Sequence, residues 1–595
     1  MSQETFTLTV LPVSVSPSRG FHVSLHIGPT LEPDGGKSTT LGAVLAGTTD
    51  AVFPIFKDWP KYLRSARIEL LNEAGKTIGA AALLDQMDDA LWAKVFPSST
   101  PVRVPVTDTF DQRRWDTFAV KDVHDAARAI NLISLAESPV DPAKPFGSQI
   151  GRAMLQEVMG DLADKLAGSE EGLRFIGDYL DGKGRNSRLY DESEFARQLD
   201  TFIQRYTNGN GAVKQGQSPT FQTLLAQLHQ ARRFYERPDL MAKYQEEPGN
   251  ERGWQPEVPD PDFHERVAHL SDVPELLRKL GLVIDLNVTD LAALGKAQSL
   301  QARIVRASRV APGRVLLPQA LDPNQSMITP VIRSGDNLLA KPAGDDLLAG
   351  RLRLGDTQRY ATMVVDADGS GLKLDRFLWS VPRLVRLESY GEPANVAPPS
   401  LRAEGFTIAR NDKLQAVQTQ VQRARDHVAA RNARKPVTLS AEDITRGYRI
   451  EVWDDTAAKW FGLHERLIDV QVKGAGLVFE GLRTTGQIGG SAVTEAPGVD
   501  NPNLKLHEAV FGWSGWSLSA PRPGPRIRHE DGREIVEDAD SDPSGVTPVT
   551  IKPRVAPGTL PRLRYGRSYA FRAWSVDIAG NSPPHAPVVG GIDPG

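Results

Sequence analysis

Cysteine is absent from all 595 residues, which excludes disulfides, thiolate nucleophiles and cysteine-ligated zinc together. Long hydrophobic runs are absent too: no apolar stretch approaches the ~20 residues of a membrane-spanning helix. The opening MSQETFTLTVLPVSVSPSRG has neither a basic head nor a continuous apolar segment, so it does not read as a secretory signal peptide. The expected location is therefore the cytoplasm, or outside by a route that uses no N-terminal signal. A strong charge of either sign is also missing. The formal net charge is −4, and no nucleic-acid partner is expected.

What is present describes a soluble, turn-rich chain. Forty per cent of residues are apolar and 24% charged, an ordinary globular balance. The 52 glycines and 43 prolines suit many short strands joined by turns. The length exceeds what one hydrophobic core organises, so several domains are expected. Period-two alternation in FHVSLHI puts Phe21, Val23, Leu25 and Ile27 on one face and His22, Ser24 and His26 on the other. RIELL, PVRVPV and DTFAV add strands, giving a β-rich region over 1–145. Over 146–250 the spacing turns helical, beginning with Ile150, Met154, Leu155, Val158, Met159 and Leu162, and an inserted α-helical module is expected. Residues 251–400 return to strands after a short helix, VPELLRKLGL. Residues 401–435 hold an amphipathic helix whose seam is Leu414, Val417, Val421, Ala424 and Val428. This seam is too short for a free-standing coiled coil and suits docking on a neighbouring domain, with Arg423 and Arg425 on a solvated face. Residues 436–595 are strand-rich again. The fold class expected is multidomain and mainly β, with sandwich-type modules and the helical insertion, α+β overall.

The piece LRYGRSYAFRAWSVDIAGNSPP, from Leu563 to Pro584, resembles the late strands of a fibronectin type III domain, in the immunoglobulin-like sandwich class. Leu563, Gly566, Tyr569, Phe571, Ala573, Val576, Asp577, Ala579, Gly580, Asn581 and Ser582 stand at the matching positions. The resemblance implies an antiparallel sandwich in which Tyr569 anchors a loop between strands. GYRIEVWDDTAAKWFGLHER looks like the earlier strand pair, with Trp453 or Trp460 as the core aromatic. The distance from Tyr448 to Tyr569 exceeds one such domain, which requires a long insertion or a second sandwich.

Motifs with chemical potential are few. GGKSTT, Gly35 to Thr40, ends like a phosphate-binding loop, but the leading glycine position is Leu31 and Pro33 removes an amide donor. A surface turn fits better. The histidines of HERVAH, His264 and His269, are five residues apart, whereas a zinc-peptidase helix needs four. GWSGWS, Gly512 to Ser517, lacks the second glycine of a nucleophile elbow because Trp516 stands there. Its aromatics suit sandwich packing better than a sugar-stacking patch, though a carbohydrate ligand stays open. Asp366-Ala-Asp-Gly-Ser-Gly places carboxylates at alternate positions beside a glycine turn, which suits calcium. Asp366, Asp368 and Asp375 are the candidate ligands, and a hairpin turn is the other reading. The function expected is non-enzymatic: a structural or interaction protein in a larger bacterial, phage-tail-like or surface assembly. Its partners would be other protein subunits or copies of itself. The alternative is a hydrolase of polysaccharide or peptide with a C-terminal accessory sandwich.

Overall fold

The structure is a computed structural model that describes residues 2–14, 23–36, 38–104, 115–118, 120, 261–306, 326–370, 404–472, 476–490, 493–495, 504–524, 526–530, 533–537 and 549–583. The helical module expected over 146–250, the strand pieces GRVLLPQ and LKLDRF, and Asp375 lie outside the described residues. The protein is predominantly β, arranged in several sheets. The strands that position its polar clusters begin with β1 (Gln3–Pro12), β2 (Val23–Glu32), β3 (Val283–Val288), β4 (Tyr360–Met363) and β5 (Phe406–Arg410). They continue with β6 (Thr445–Asp454), β7 (Lys459–Gly462), β8 (Glu465–Val472), β9 (Ala509–Trp513) and β10 (Tyr569–Asp577).

The first sheet runs β1-β2-β3-(Ala80–Ala82), antiparallel throughout. A second sheet pairs Ser299–Arg306 with Ala66–Leu71 on one side and Thr329–Ser334 on the other. The expected alternation of β2 holds for Val23, Leu25 and Ile27, all fully buried. Its other face departs from expectation: Ser24 is also fully buried and His26 half-buried, because the C-terminal turn after β10 covers that side. Packed beneath are α1 (Pro54–Lys57) and α2 (Phe263–Leu270), whose Phe56 stacks on Trp59 at 4.8 Å and meets Phe263 edge-on at 5.8 Å. This first core also takes in Ile444, Ile468, Val470, Val549 and Ala579 from the C-terminal part of the chain.

The third sheet contains β10-β6-β7, with Arg351–Leu352 on the far side of β10. Facing it across a second core is the sheet β4-β5-β9. Ile450, Val452 and Ala573 from one sheet meet Ile408, Phe511 and Trp513 from the other. These antiparallel sheets are compatible with sandwich modules. Tyr569 anchors the preceding loop: its hydroxyl donates to the Arg562 carbonyl at 2.7 Å and accepts from the Arg564 N–H at 2.9 Å. Trp453 is buried, Trp460 half-buried, and their rings meet at 5.8 Å. Trp513 is fully buried and Phe511 nearly so, in the core and not on a sugar-binding surface.

The amphipathic helix is present as α4 (Lys413–Asn432), after α3 (Pro274–Lys279) in chain order. Leu414, Val417 and Val421 are half-buried, but Ala424 and Val428 are exposed, so docking covers only the first half of the seam. Arg423 is not on a solvated face. It pairs with Asp443 and donates to Ser440, tying α4 to the start of β6. Among the described residues no helix is long and apolar enough to cross a membrane.

Candidate functional site

A connected group of ionisable side chains lies where β4 and β5 meet the start of α4. Asp346 is its centre. Tyr360, at the start of β4, donates its hydroxyl to Asp346 Oδ1 at 2.6 Å, and Arg410, at the end of β5, pairs with Asp346 Oδ2 at 2.7 Å. Arg410 also grips Asp412 through Nε (2.6 Å) and a terminal nitrogen (3.3 Å). Arg359 lies 3.8 Å from Asp412 and pairs with Asp345 at 2.7 Å. The sequence produces this locally: Tyr360 and Arg410 are cross-strand partners in the β4–β5 register, and Asp412 follows Arg410 by two.

Burial, then the Asp346 contact, pushes the Tyr360 hydroxyl far above its usual range. Tyr448, deep in β6, is pushed up to about 12 by burial and by Asp346. Burial opposes the Arg410 charge, but its carboxylate partners outweigh that and hold it protonated. Lys413, the first residue of α4, is 4% exposed and donates to the Gly490 carbonyl. Burial, with Arg410 nearby, draws its ammonium down to about 8. A lysine so placed holds its proton less tightly than an exposed one.

Beside this group stands the turn expected to hold calcium. It does not form a tight hairpin within 366–370: the chain enters a helical turn, with Asp366 Oδ1 accepting the Gly369 N–H at 3.1 Å as a cap. Asp368 Oδ1 faces His507 Nε2 at 3.2 Å. Both carboxylates lean over Gly512, where a Cβ would sit 3.4 Å from Asp366 Oδ1 and 3.9 Å from Asp368 Oδ2. Among the described residues no three His, Asp or Glu side chains converge as a metal would require. His507 Nδ1 accepts the Ala509 N–H at 3.1 Å, so the neutral ring carries its proton on Nε2, toward Asp368. Burial lowers its basicity, Asp368 opposes that, and Lys413 adds to it. Both ring nitrogens are thus engaged, leaving no lone pair to activate a nucleophile.

The remaining motifs resolve into structure. Asp34–Gly36 forms a single turn with Gly35 at φ 63° and Gly36 at φ 70°, followed by the short strand Thr39–Thr40 paired with Pro101–Val102. Among the described residues the next helix begins only at Pro54, too far on to receive a phosphate held by this turn. His264 accepts the Leu31 N–H at 3.0 Å from α2, pinning that helix to β2. His26 is held neutral, its pKa drawn down to about 4 by burial and by Arg446. The nucleophile–base contact that sequence spacing gave no sign of is Ser519–His464, with Oγ 2.6 Å from Nδ1. The two are 55 positions apart, so only the tertiary structure reveals them. Burial, then Arg449 and Arg466, draws the imidazole down to about 3, and Nε2 is buried with no hydrogen-bond partner. Among the described residues no orienting acid completes a triad. No protein-family model, curated protein or solved structure matches the chain.

Proposed function

We propose that this chain is a structural or interaction protein, a subunit of a larger bacterial assembly of the phage-tail-like or surface kind, with a fibronectin type III-like sandwich in its C-terminal region. The observation that carries the reading is where the buried polar chemistry goes. Asp346, Arg410 and Asp412 bind one another, as do Glu451, Arg572 and Trp574, and as do Ser24, Asp285, Arg278 and Asn581. Each group joins segments remote in sequence, which suits holding a scaffold together. The Tyr569 clamp supports the sandwich likeness, since such an anchor fixes interstrand loops in that class.

The second reading, a hydrolase of polysaccharide or peptide, leans on the Ser519–His464 contact. Light scattering of the purified chain, with a broad hydrolase screen alongside, separates the two. Large homo-oligomers or filaments without turnover are expected. Turnover abolished by Ser519→Ala, or by a single carboxylate substitution, would overturn the assembly reading.

A further inference from the structure

The loop Pro561–Ser568 leads into β10 and carries three arginines and no acidic residue of its own. Arg562, Arg564 and Arg567 are exposed, and Tyr565 is wholly exposed at 103%. Arg567 faces Asp454 at 3.6 Å, whereas the Arg562 and Arg564 side chains meet no partner among the described residues. Leu563, between them, turns inward onto Gly515 and the second core. That contact brings up the neighbouring loop, where Arg522 is held by the Ser514 carbonyl at 2.9 Å. The β6–β7 turn, bonded to the loop through Asp455 N–H and the Ser568 carbonyl, adds exposed Asp455 and Lys459. The end of the sandwich is thus basic, although the chain as a whole is slightly acidic.

We infer that this loop is a docking tip for an acidic segment of a protein partner, with Arg562 and Arg564 gripping carboxylates and Tyr565 supplying apolar contact. Rigidity is the second support. The Tyr569 hydroxyl binds the backbone on both sides of Leu563, and its ring meets Trp513 edge-on at 5.5 Å and Phe406 at 5.7 Å. The loop is therefore held from the core before any partner arrives, which reduces the ordering cost of binding. Arginine and tyrosine on a fixed backbone are the residue types that dominate interface energetics, and guanidinium matches carboxylate in planar, two-bond geometry. A nucleic-acid backbone would call for a wider basic face than one loop and a flanking arginine supply. The inference rests on the interaction reading above and names the chemistry of its partner.

The test uses fluorescence anisotropy of the full chain with a labelled ten-residue Asp/Glu peptide at low ionic strength. Binding is expected, weakening as salt is raised. R562A/R564A is expected to weaken it about tenfold or more. Tyr569→Phe keeps every side chain of the tip but frees its backbone, and several-fold weakening with unchanged circular dichroism is expected. Arg425→Ala, on the exposed face of α4, is the control and leaves binding intact. Peptide that does not bind, binding indifferent to R562A/R564A, or single-stranded DNA of equal charge binding as tightly as the peptide would each overturn the inference. A chain that assembles without turnover yet ignores the peptide overturns the tip alone; turnover in the hydrolase screen overturns the assembly reading.

Discussion

Glu4 shows how one side chain acquires a property its sequence neighbourhood does not announce. Its carboxylate accepts the N–H groups of Ile55 and Phe56, at 2.8 and 3.2 Å, at the start of α1. Burial outweighs those bonds and pushes its pKa up to about 7, from 4.5. The folded state therefore holds the proton more tightly than the unfolded chain. This contribution is fully present below pH 4.5 and is lost as pH rises through 7. His26, drawn down to about 4, works in the opposite sense: its contribution is complete above pH 6.5 and is lost as pH falls toward 4. Glu4→Gln is expected to remove a pH-dependent loss of about 2 kcal/mol between pH 4.5 and 7. His26→Asn is expected to flatten the slope of opposite sign between pH 6.5 and 4. Urea unfolding at stepped pH reads both effects. A difference between Glu4→Gln and wild type that does not change with pH would count against this assignment.

Elements of the third sheet are joined on one face by stacked cations and rings. Cross-strand partners Glu451 and Arg572 form an ion pair, and Trp574 Nε1 donates to the same carboxylate oxygen at 2.9 Å. The Arg572 guanidinium lies 4.1 Å from the Trp460 ring centre and 5.3 Å from that of Trp574. Arg351, on the adjoining strand, adds a contact to Trp574 at 5.5 Å. Glu451 and Arg572 are 5% and 9% exposed, so removing one charge strands the other out of water. Arg572→Ala is expected to cost about 3–5 kcal/mol, read as a fall in the urea midpoint. E451Q/R572M, which removes both charges, should cost less than the single change. If the double variant is the less stable, the charged pair is itself a net source of stability. The period-two alternation of YAFRAWSV made this strand legible in sequence. The pairing of Arg572 with Glu451, 121 positions away, was not, because strand register is set by long-range pairing.

At the scale of the whole molecule, the motif DIAGNS is the fastener between the beginning and end of the chain. Asp577 Oδ1 accepts the N–H groups of Ala579 and Asn581, both at 2.9 Å, and Oδ2 accepts Asn581 Nδ2 at 3.0 Å. Asn581 Nδ2 also donates to Ser24 on β2 at 3.1 Å, and Ser24 donates to Asp285 on β3 at 2.8 Å. Arg278 of α3 closes the network on Asp285, Asn581 and the Ala579 carbonyl. Gly580 sits at φ 77°, and a Cβ there would lie 2.5 Å from Pro274 Cγ at the start of α3. Gly580→Ala combines a left-handed backbone with a steric clash and is expected to cost about 2–4 kcal/mol. Asn581→Ala should raise hydrogen exchange in β2 and α3 as well as in the turn. Exchange that rises only around residue 581 would mean that the two ends of the chain are not coupled here.

Which short segments become strands or helices is largely legible before folding, since periodicity and turn residues are local properties. The sequence placed β2, β10 and α4, and the surface turn at Gly35. It also disposed of the loop at GGKSTT, because a missing glycine and a misplaced proline can be read without a fold. Which polar faces are wet depends instead on how remote segments pack. Ser24 and His26 looked like the outer face of a half-buried strand until a turn 557 positions from Ser24 closed over it. Tyr360, Arg410 and Asp346 carried no motif, yet assemble into one connected cluster. Partners brought together by sheet register and core packing share no local spacing, so the sequence shows the elements and the fold selects their contacts.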